Sequence, residues 1–171
     1  MRHCAFRAGS SCTVALMLSN PLTLRGVDHV ALRVRSLDES IAFYCDVLRC
    51  QIAARNEDAG IVHLRAGGQM IDLIWLEGRM GKLGGAEPRV EARNMHHVCL
   101  AYEPHDSNAL FAYLDEHKIE HSAKPQDNLG AEGQGTSVYL ADPDENLIEI
   151  KFYGPLLANL PSRQRQSAQT S

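Results

Sequence analysis

Two histidines and two carboxylates stand at matched places in the chain, His29 with Asp72 and His97 with Glu149. Neutral imidazole nitrogens and carboxylate oxygens together suit Zn, Ni, Co, Mn or Fe(II), and they leave room for water or substrate on the ion. One histidine alone is more often structural, but the same chemistry in both halves of a repeat favours ligands. The pattern predicts one divalent metal held by these four side chains.

The matched places belong to an internal duplication that covers about residues 25–153. Residues 27–34 (VDHVALRV) and 95–102 (MHHVCLAY) alternate with the period of a strand, and each has histidine in third place. A helix follows each strand, capped by Ser36 with Glu39 in the first copy and by Asp106 or Ser107 in the second. Each copy then ends in two strands, 61–65 with 70–75 and 136–140 with 147–152.

These boundaries predict one domain over residues 24–155, with module one at 24–76, a linker at 77–94 and module two at 95–155. Residues 1–23 lack any acidic side chain. We expect them to be a disordered extension or the result of a start assigned upstream of Met17; a targeting peptide is the alternative. Residues 156–171 are predicted to be a disordered tail, because residues 162–171 are rich in Gln and Ser and lack periodic hydrophobic residues.

Strand alternation predicts which side chains share a face. The apolar residues next to the candidate ligands would cover the helices, so the ligands of each module lie on the opposite face. The same face or its rim would also carry Arg33, His63, Arg65, Tyr139 and Lys151. Cations near a metal predict an anionic substrate such as a carboxylate or phosphate, bound by Arg33, His63, Arg65 and Lys151. The inert alternative, that these strand-end cations are simply solvated, stays open.

Composition narrows the class of partner. A net charge of −4 and a pI near 6.0 argue against nucleic acid, and no apolar run approaches the length of a membrane span. Five cysteines without CxxC spacing indicate reduced thiols and a cytoplasmic location. A homodimer is predicted because exposed sheet edges tend to pair. Whether the modules pair within one chain or between chains stays open at this stage.

Four segments resemble the vicinal oxygen chelate superfamily, which includes glyoxalases, extradiol dioxygenases and bleomycin-resistance proteins. They are DHVAL, HHVCL, the stretch from Phe43 to Leu48, and YLADPDENLIEI. The resemblance implies an α+β fold in which two βαβββ modules form a glyoxalase-like, cupped, eight-stranded sheet around one divalent metal. It places the metal ligands at His29, Asp72, His97 and Glu149. Arg49 and Glu145 depart from the family, in which glycine is usual at both places.

The resemblance also orders the functional hypotheses. The first is a glyoxalase-like lyase or isomerase that acts through a metal-stabilised enediolate, with Glu149 as ligand and base. The second is an Fe(II) extradiol-type dioxygenase, in which His29, His97 and Glu149 hold the iron. Tyr139, in Tyr-x-x-Asp-Pro, would then be a catalytic residue. The third is a resistance protein that binds a small molecule without turnover.

Overall fold

The computed structural model describes residues 23–87, 91, 94–103 and 107–153, and it follows the predicted order of elements in both copies. Module one contains β1 (His29–Val34), α1 (Leu37–Ile41), β2 (Gln51–Asn56), β3 (Ile61–Ala66) and β4 (Gln69–Trp75). Module two contains β5 (Val98–Tyr102), α2 (Ser107–Glu116), β6 (Gln126–Gly130), β7 (Gly133–Ala141) and β8 (Leu147–Phe152). A π-helical segment (Ala42–Val47) extends α1, and a 3-10 turn (Gly81–Gly84) follows β4.

Both modules have the same sheet topology, which confirms the predicted α+β class. The strand orders are β1-β4-β3-β2 and β5-β8-β7-β6. The first strand of each module pairs in parallel with the last, and the remaining pairs are antiparallel. The eight strands form two hydrogen-bonded sheets of four, and β1 and β5 are both edge strands. The strands β2 and β6, whose residues carry no clear alternation, were not predicted individually.

Local sequence signals explain how α1 begins and how it is held. The Ser36 hydroxyl accepts a hydrogen bond from the Glu39 amide at 3.3 Å, as the capping box predicts. Tyr44 and Leu48 are buried against the sheet. The Tyr44 hydroxyl donates to the buried Asp142 carboxylate at 2.9 Å, which ties the helix of module one to a turn of module two.

The turn before β8 supports this contact. Asp142 accepts hydrogen bonds from the backbone amides of Asp144 and Asn146 at 2.9 and 2.8 Å, so it is structural, as expected for aspartate in a turn. Asp144 in turn accepts from the Arg35 side chain at 2.8 Å. One buried core, with residues from the helix-facing sides of both sheets, is continuous between the modules. The modules therefore pack together through their helix sides.

Some sequence expectations concern residues outside this description. The expected disordered segments, 1–23 and 156–171, lie there apart from residue 23, as does the candidate cap Asp106. The side chain of Ser107, the other candidate cap, is also outside it. Among the described helices, none is long and apolar enough to cross a membrane.

Arg49 and Glu145, which stand where the resemblance implies glycine, both have a left-handed backbone conformation. Arg49 has φ 63° and Glu145 has φ 62°. A side chain in this region costs about 1–2 kcal/mol because Cβ approaches the following carbonyl oxygen. Arg49 therefore has a strained backbone conformation that glycine would adopt without strain.

We expect Arg49→Gly to raise the free energy of unfolding by about 0.5–1 kcal/mol, because relief of the left-handed strain exceeds the entropy that glycine loses on folding. Urea denaturation followed by Trp75 fluorescence measures the change. Arg55→Gly is the matched control, since Arg55 is exposed in the extended strand β2, where glycine weakens pairing. Equal destabilisation by both substitutions would contradict the strain at Arg49.

Candidate active site

The candidate site is built on the two central closing strands, β4 and β8. In module one, Asp72 of β4 lies directly opposite His63 of β3. In module two, Glu149 of β8 lies directly opposite Tyr139 of β7. We call the side of each sheet that carries these carboxylates, turned away from the helices, the carboxylate face. The pairing confirms that Asp72 and Glu149 occupy equivalent positions.

Glu149 is buried, and each of its two carboxylate oxygens contacts a polar side chain. His97 Nε2 lies 3.0 Å from Oε2. On the other oxygen, Oε1, the Ser137 hydroxyl donates a hydrogen bond at 2.5 Å and the Lys151 ammonium lies at 3.1 Å. One carboxylate oxygen is thus fixed by the sheet, while the other faces the imidazole of the predicted ligand.

Lys151 was predicted to bind substrate from the inner face or rim, and the structure places it inside the protein. It is 2% exposed, and its three ammonium hydrogens have three acceptors. Besides Glu149, these are the Ser137 hydroxyl at 2.8 Å and the Asn128 carbonyl at 3.1 Å. Lys151 thus shares the face of Glu149, as alternation predicts, but it does not lie at the rim, because its ammonium group is buried and engaged by these three acceptors.

The electrostatic balance of module two keeps Glu149 charged. Burial alone would raise the pKa of Glu149, but the Ser137 hydrogen bond and the Lys151 ammonium outweigh burial and lower it. The pKa of Tyr139 is raised, first by desolvation and then by the negative charge of Glu149. The phenol therefore stays protonated at neutral pH. Its oxygen accepts a hydrogen bond from the Asn128 side chain at 2.9 Å.

Module one is more open. His63 Nδ1 lies 2.7 Å from Asp72 Oδ1, with the imidazole about one-third exposed at 31%. His29, at the start of the edge strand β1, is half exposed, and its Nδ1 lies 2.8 Å from the neighbouring Asp28 carboxylate. The hydrogen bond with Asp28 raises the pKa of His29, and the charge of Asp72 adds to this. His29 and Asp72 share a face, but the direct partner of Asp72 is His63.

The four predicted ligands are therefore brought together as half-sites, not as one group. His97 pairs with Glu149, Asp72 pairs with His63, and His29 stands apart. Within the described residues, no group of three or more metal-binding side chains converges. Among the described residues, the two half-sites lie on separate four-stranded sheets that are not hydrogen-bonded to each other. That the four share one ion stays a prediction.

Two further cations were predicted to bind substrate. Arg33 donates to the carbonyls of Gly84, Gly85 and Ala86 at 2.8–2.9 Å, so it holds the segment after β4. A Cβ on Gly84 would lie 2.6 Å from the Arg33 Nε atom, so this approach requires glycine. Arg65 is exposed on β3. Of the two, Arg65 is the one presented to solvent.

Sequence reasoning missed Ser137 and Asn128. Ser137 stands two residues before Tyr139, so alternation alone would have placed it beside Glu149 on the carboxylate face. Its register partner is Lys151, which is the contact observed. Asn128 lies in β6, a strand that was not predicted, and so no pattern pointed to it.

We expect Lys151→Met to lower the free energy of unfolding by about 3–5 kcal/mol, because it leaves the buried Glu149 charge without its ammonium partner. Chemical denaturation measures the loss. Adding Glu149→Gln to Lys151→Met should recover part of it, since the double variant buries no unpaired charge. Lys124→Met, at an exposed lysine, is the control and should change little. A double variant less stable than Lys151→Met would contradict the pairing.

Comparison with known proteins matches this chain to a family model and to several relatives. The model of the Glyoxalase/Bleomycin resistance protein/Dioxygenase superfamily matches residues 26–150. The glyoxalase domain-containing protein RDO1 of Mycosarcoma maydis is 32% identical over 133 residues, which are 77% of this chain and 70% of that protein. The human mitochondrial methylmalonyl-CoA epimerase is 28% identical over 112 residues, covering 63% of this chain and 62% of the epimerase.

Several solved structures have folds similar to that of this chain. An integron cassette protein from V. cholerae superposes with a TM-score of 0.60 at 25% identity, covering 78% of this chain and 98% of the other. A virulence protein from Salmonella typhimurium gives 0.59 at 26% identity, covering 78% and 100%. A lactoylglutathione lyase from Agrobacterium tumefaciens gives 0.50 at 19% identity, covering 75% and 94%, a likeness of fold.

Proposed function

The chain belongs to the Glyoxalase/Bleomycin resistance protein/Dioxygenase superfamily, and from this premise we propose that it is a divalent-metal-dependent enzyme of the glyoxalase-like lyase or isomerase type. It would move a proton on the carbon next to a carbonyl group of a small, anionic substrate. The observation that carries the proposal is the contact between His97 and Glu149 at 3.0 Å, with the other Glu149 oxygen already held by the protein.

The donor set fits a metal. Nitrogen and oxygen stand side by side in the His97–Glu149 pair, and a ligating carboxylate is commonly held by hydrogen bonds of its own, as Ser137 and Lys151 supply here. His29 would be the third ligand, because its ring is exposed at the sheet edge. Asp72 would be the fourth ligand, because its contact with His63 excludes it no more than the contact with His97 excludes Glu149. A bound divalent metal would stabilise negative charge on a substrate oxygen.

We propose a homodimer as the functional form. Both ligand histidines lie at edges of sheets, His29 at the start of β1 and His97 just before β5. Within the part of the chain that the structure describes, these edges are not paired with each other. A second copy with its β1 beside this β5 would close the eight-stranded cup and bring His29 to the His97–Glu149 pair. Free thiols at Cys45, Cys50 and Cys99 support a reducing, cytoplasmic location.

The first test measures proton exchange at carbon. The protein loaded with Zn, Ni, Co or Mn is incubated in D₂O with methylmalonyl-CoA, or with the hemithioacetal of methylglyoxal and glutathione, and deuterium in the recovered substrate and product is measured by mass spectrometry. We expect metal-dependent incorporation, reduced about 10²-fold or more by Glu149→Gln. Glu132→Gln, in an exposed turn, should leave exchange unchanged. Exchange that is equal without metal would refute metal dependence.

A second function has a specific observation in its favour. His29, His97 and Glu149 are two histidines and one carboxylate, the set that non-haem Fe(II) oxygenases use. The Tyr139 ring stands edge-on to His97 with centroids 6.0 Å apart. If the protein is a dioxygenase, anaerobic reconstitution with Fe(II) followed by oxygen and catechol should give a ring-cleaved product, and Tyr139→Phe should slow its formation. No cleavage would exclude catechol as substrate and favour proton transfer.

The metal content of the purified protein tests the third alternative. A resistance protein that binds a small molecule without turnover would hold no stoichiometric metal.

A further inference from the structure

We propose that Ile61 and Ile74 form an apolar subsite on the carboxylate face of module one, which binds the hydrocarbon part of the substrate. This inference rests on the proposed function and names the class of molecule that the site takes. That class is a small acid whose vicinal oxygens chelate the metal and whose remaining carbons form an apolar chain. The inference starts from one pairing, because Ile61 of β3 and Ile74 of β4 are direct partners in the sheet.

The isoleucine pair lies next to a proposed metal ligand. On β4, Ile74 stands two residues after Asp72, and on β3, Ile61 stands two residues before His63. Side chains spaced by two residues share a face, so the pair stands beside Asp72 on the carboxylate face. Two residues advance a strand by about 7 Å. A short carbon chain attached to a group bound at Asp72 can therefore lie against both isoleucines.

The core does not need these two side chains. Their strand neighbours Val62 and Leu73 point toward the helices and are buried. Ile61 and Ile74 are partly exposed, and in the part of the chain that the structure describes neither belongs to the buried core or to the residues packed against it. A partly exposed apolar surface beside polar side chains is typical of a small-molecule site. The pair is therefore better placed to contact a ligand than to stabilise the fold.

Module two has a polar pair at the equivalent place. There the direct partners beside Glu149 on the same face are Ser137 and Lys151. The polar groups of both side chains contact Glu149, and both residues are buried. In module two the protein itself therefore fills this place. In module one the place has a hydrocarbon surface, which an apolar chain stabilises by removing it from water.

The charges around the pair give the ligand a direction. Arg65 is exposed on the same face, and it lies on the side of Asp72 that is opposite to the isoleucines. On the isoleucine side, Arg33 aligns with Ile74, but its guanidinium donates to three backbone carbonyls. A substrate carboxylate would therefore be attracted toward Arg65. The apolar chain would then extend the other way, along the isoleucine pair.

Straight-chain hydroxamates test the subsite without turnover. Their two adjacent oxygens can chelate one metal ion, and the alkyl chain is the part that changes along the series. The zinc-loaded protein is titrated with acetohydroxamate, butyrohydroxamate and hexanohydroxamate, and calorimetry gives each dissociation constant. We expect the affinity to rise about 3- to 4-fold for each added methylene that becomes buried.

Two variants assign the effect to the pair. Ile61→Thr and Ile74→Thr retain the β-branched shape but replace apolar surface with a hydroxyl group. Each should weaken the binding of hexanohydroxamate about 3- to 10-fold and leave that of acetohydroxamate unchanged. Leu129→Thr is the matched control, since Leu129 is exposed on β6 and points away from the face that carries the Asn128 side chain. Zinc content should stay at the wild-type level in all three variants, because none changes a proposed ligand.

Methyl NMR locates the chain in the wild-type protein. The isoleucine methyl groups are labelled with ¹³C and assigned through their correlations to the backbone. Hexanohydroxamate should shift the signals of Ile61 and Ile74 more than acetohydroxamate does, while the buried Ile148 of module two should change little. Signals of Ile61 and Ile74 that do not respond to chain length would overturn the proposal.

The outcomes separate the subsite from the proposed function. Equal affinity for all three hydroxamates would overturn the subsite and leave the metal-dependent function intact. A chain-length dependence that both threonine variants retain in full would overturn its assignment to Ile61 and Ile74. A protein that holds no zinc, or that binds no hydroxamate when loaded with zinc, would refute the metal-dependent function and the subsite together.

Discussion

The closing strands β4 and β8 constrain everything else in this molecule. Each is hydrogen-bonded on both sides, and each alternates apolar residues with a carboxylate. Ile148 and Ile150 are buried toward the helices, which forces Glu149 onto the opposite face. A slip of one residue would turn the carboxylate into the apolar core and expose the isoleucines, at a cost of several kcal/mol for the charge alone. Core packing therefore fixes where the chemistry lies.

Duplication repeated this constraint, and the residues around it have diverged. Glu149 is compensated by a buried ammonium and a hydroxyl, whereas the shorter Asp72 is compensated by one imidazole. A buried carboxylate keeps its charge only with such a partner, because desolvation of an unpaired charge costs several kcal/mol and favours the protonated form. The two solutions differ in what they leave available. Module two offers the Glu149 oxygen that faces His97, while the other oxygen is fixed by Ser137 and Lys151. Module one offers the partly exposed imidazole of His63.

Much of this could be predicted from the sequence. Period-two alternation assigns Asp72 and Glu149 to the same face of their sheets, and the capping box assigns the helix cap to Ser36, because both patterns are local properties of the sequence. Alternation does not say which residue of the neighbouring strand stands opposite. The register aligns His29 with Met70 and leaves His63 directly beside Asp72. The burial of Lys151 was not predicted for a related reason. A cation near the end of a strand is buried only where the fold supplies a charged partner, and alternation did not identify the contact with Glu149.

The sequence did not predict how the two modules contact each other. The structure distinguishes contacts between the helix sides of the modules from contacts at the edges of their sheets. The helix sides share one core and the bond from Tyr44 to Asp142, so they are joined by folding of the chain. Among the described residues, β1 and β5 are edge strands, with His29 at the start of β1 and His97 just before β5. In the proposed homodimer, association would complete the carboxylate faces. Any ion bridging such edges would bind the associated state alone, and its binding free energy would add to the stability of that state. In the proposed homodimer, folding and site assembly would thus depend on opposite sides of the same two sheets.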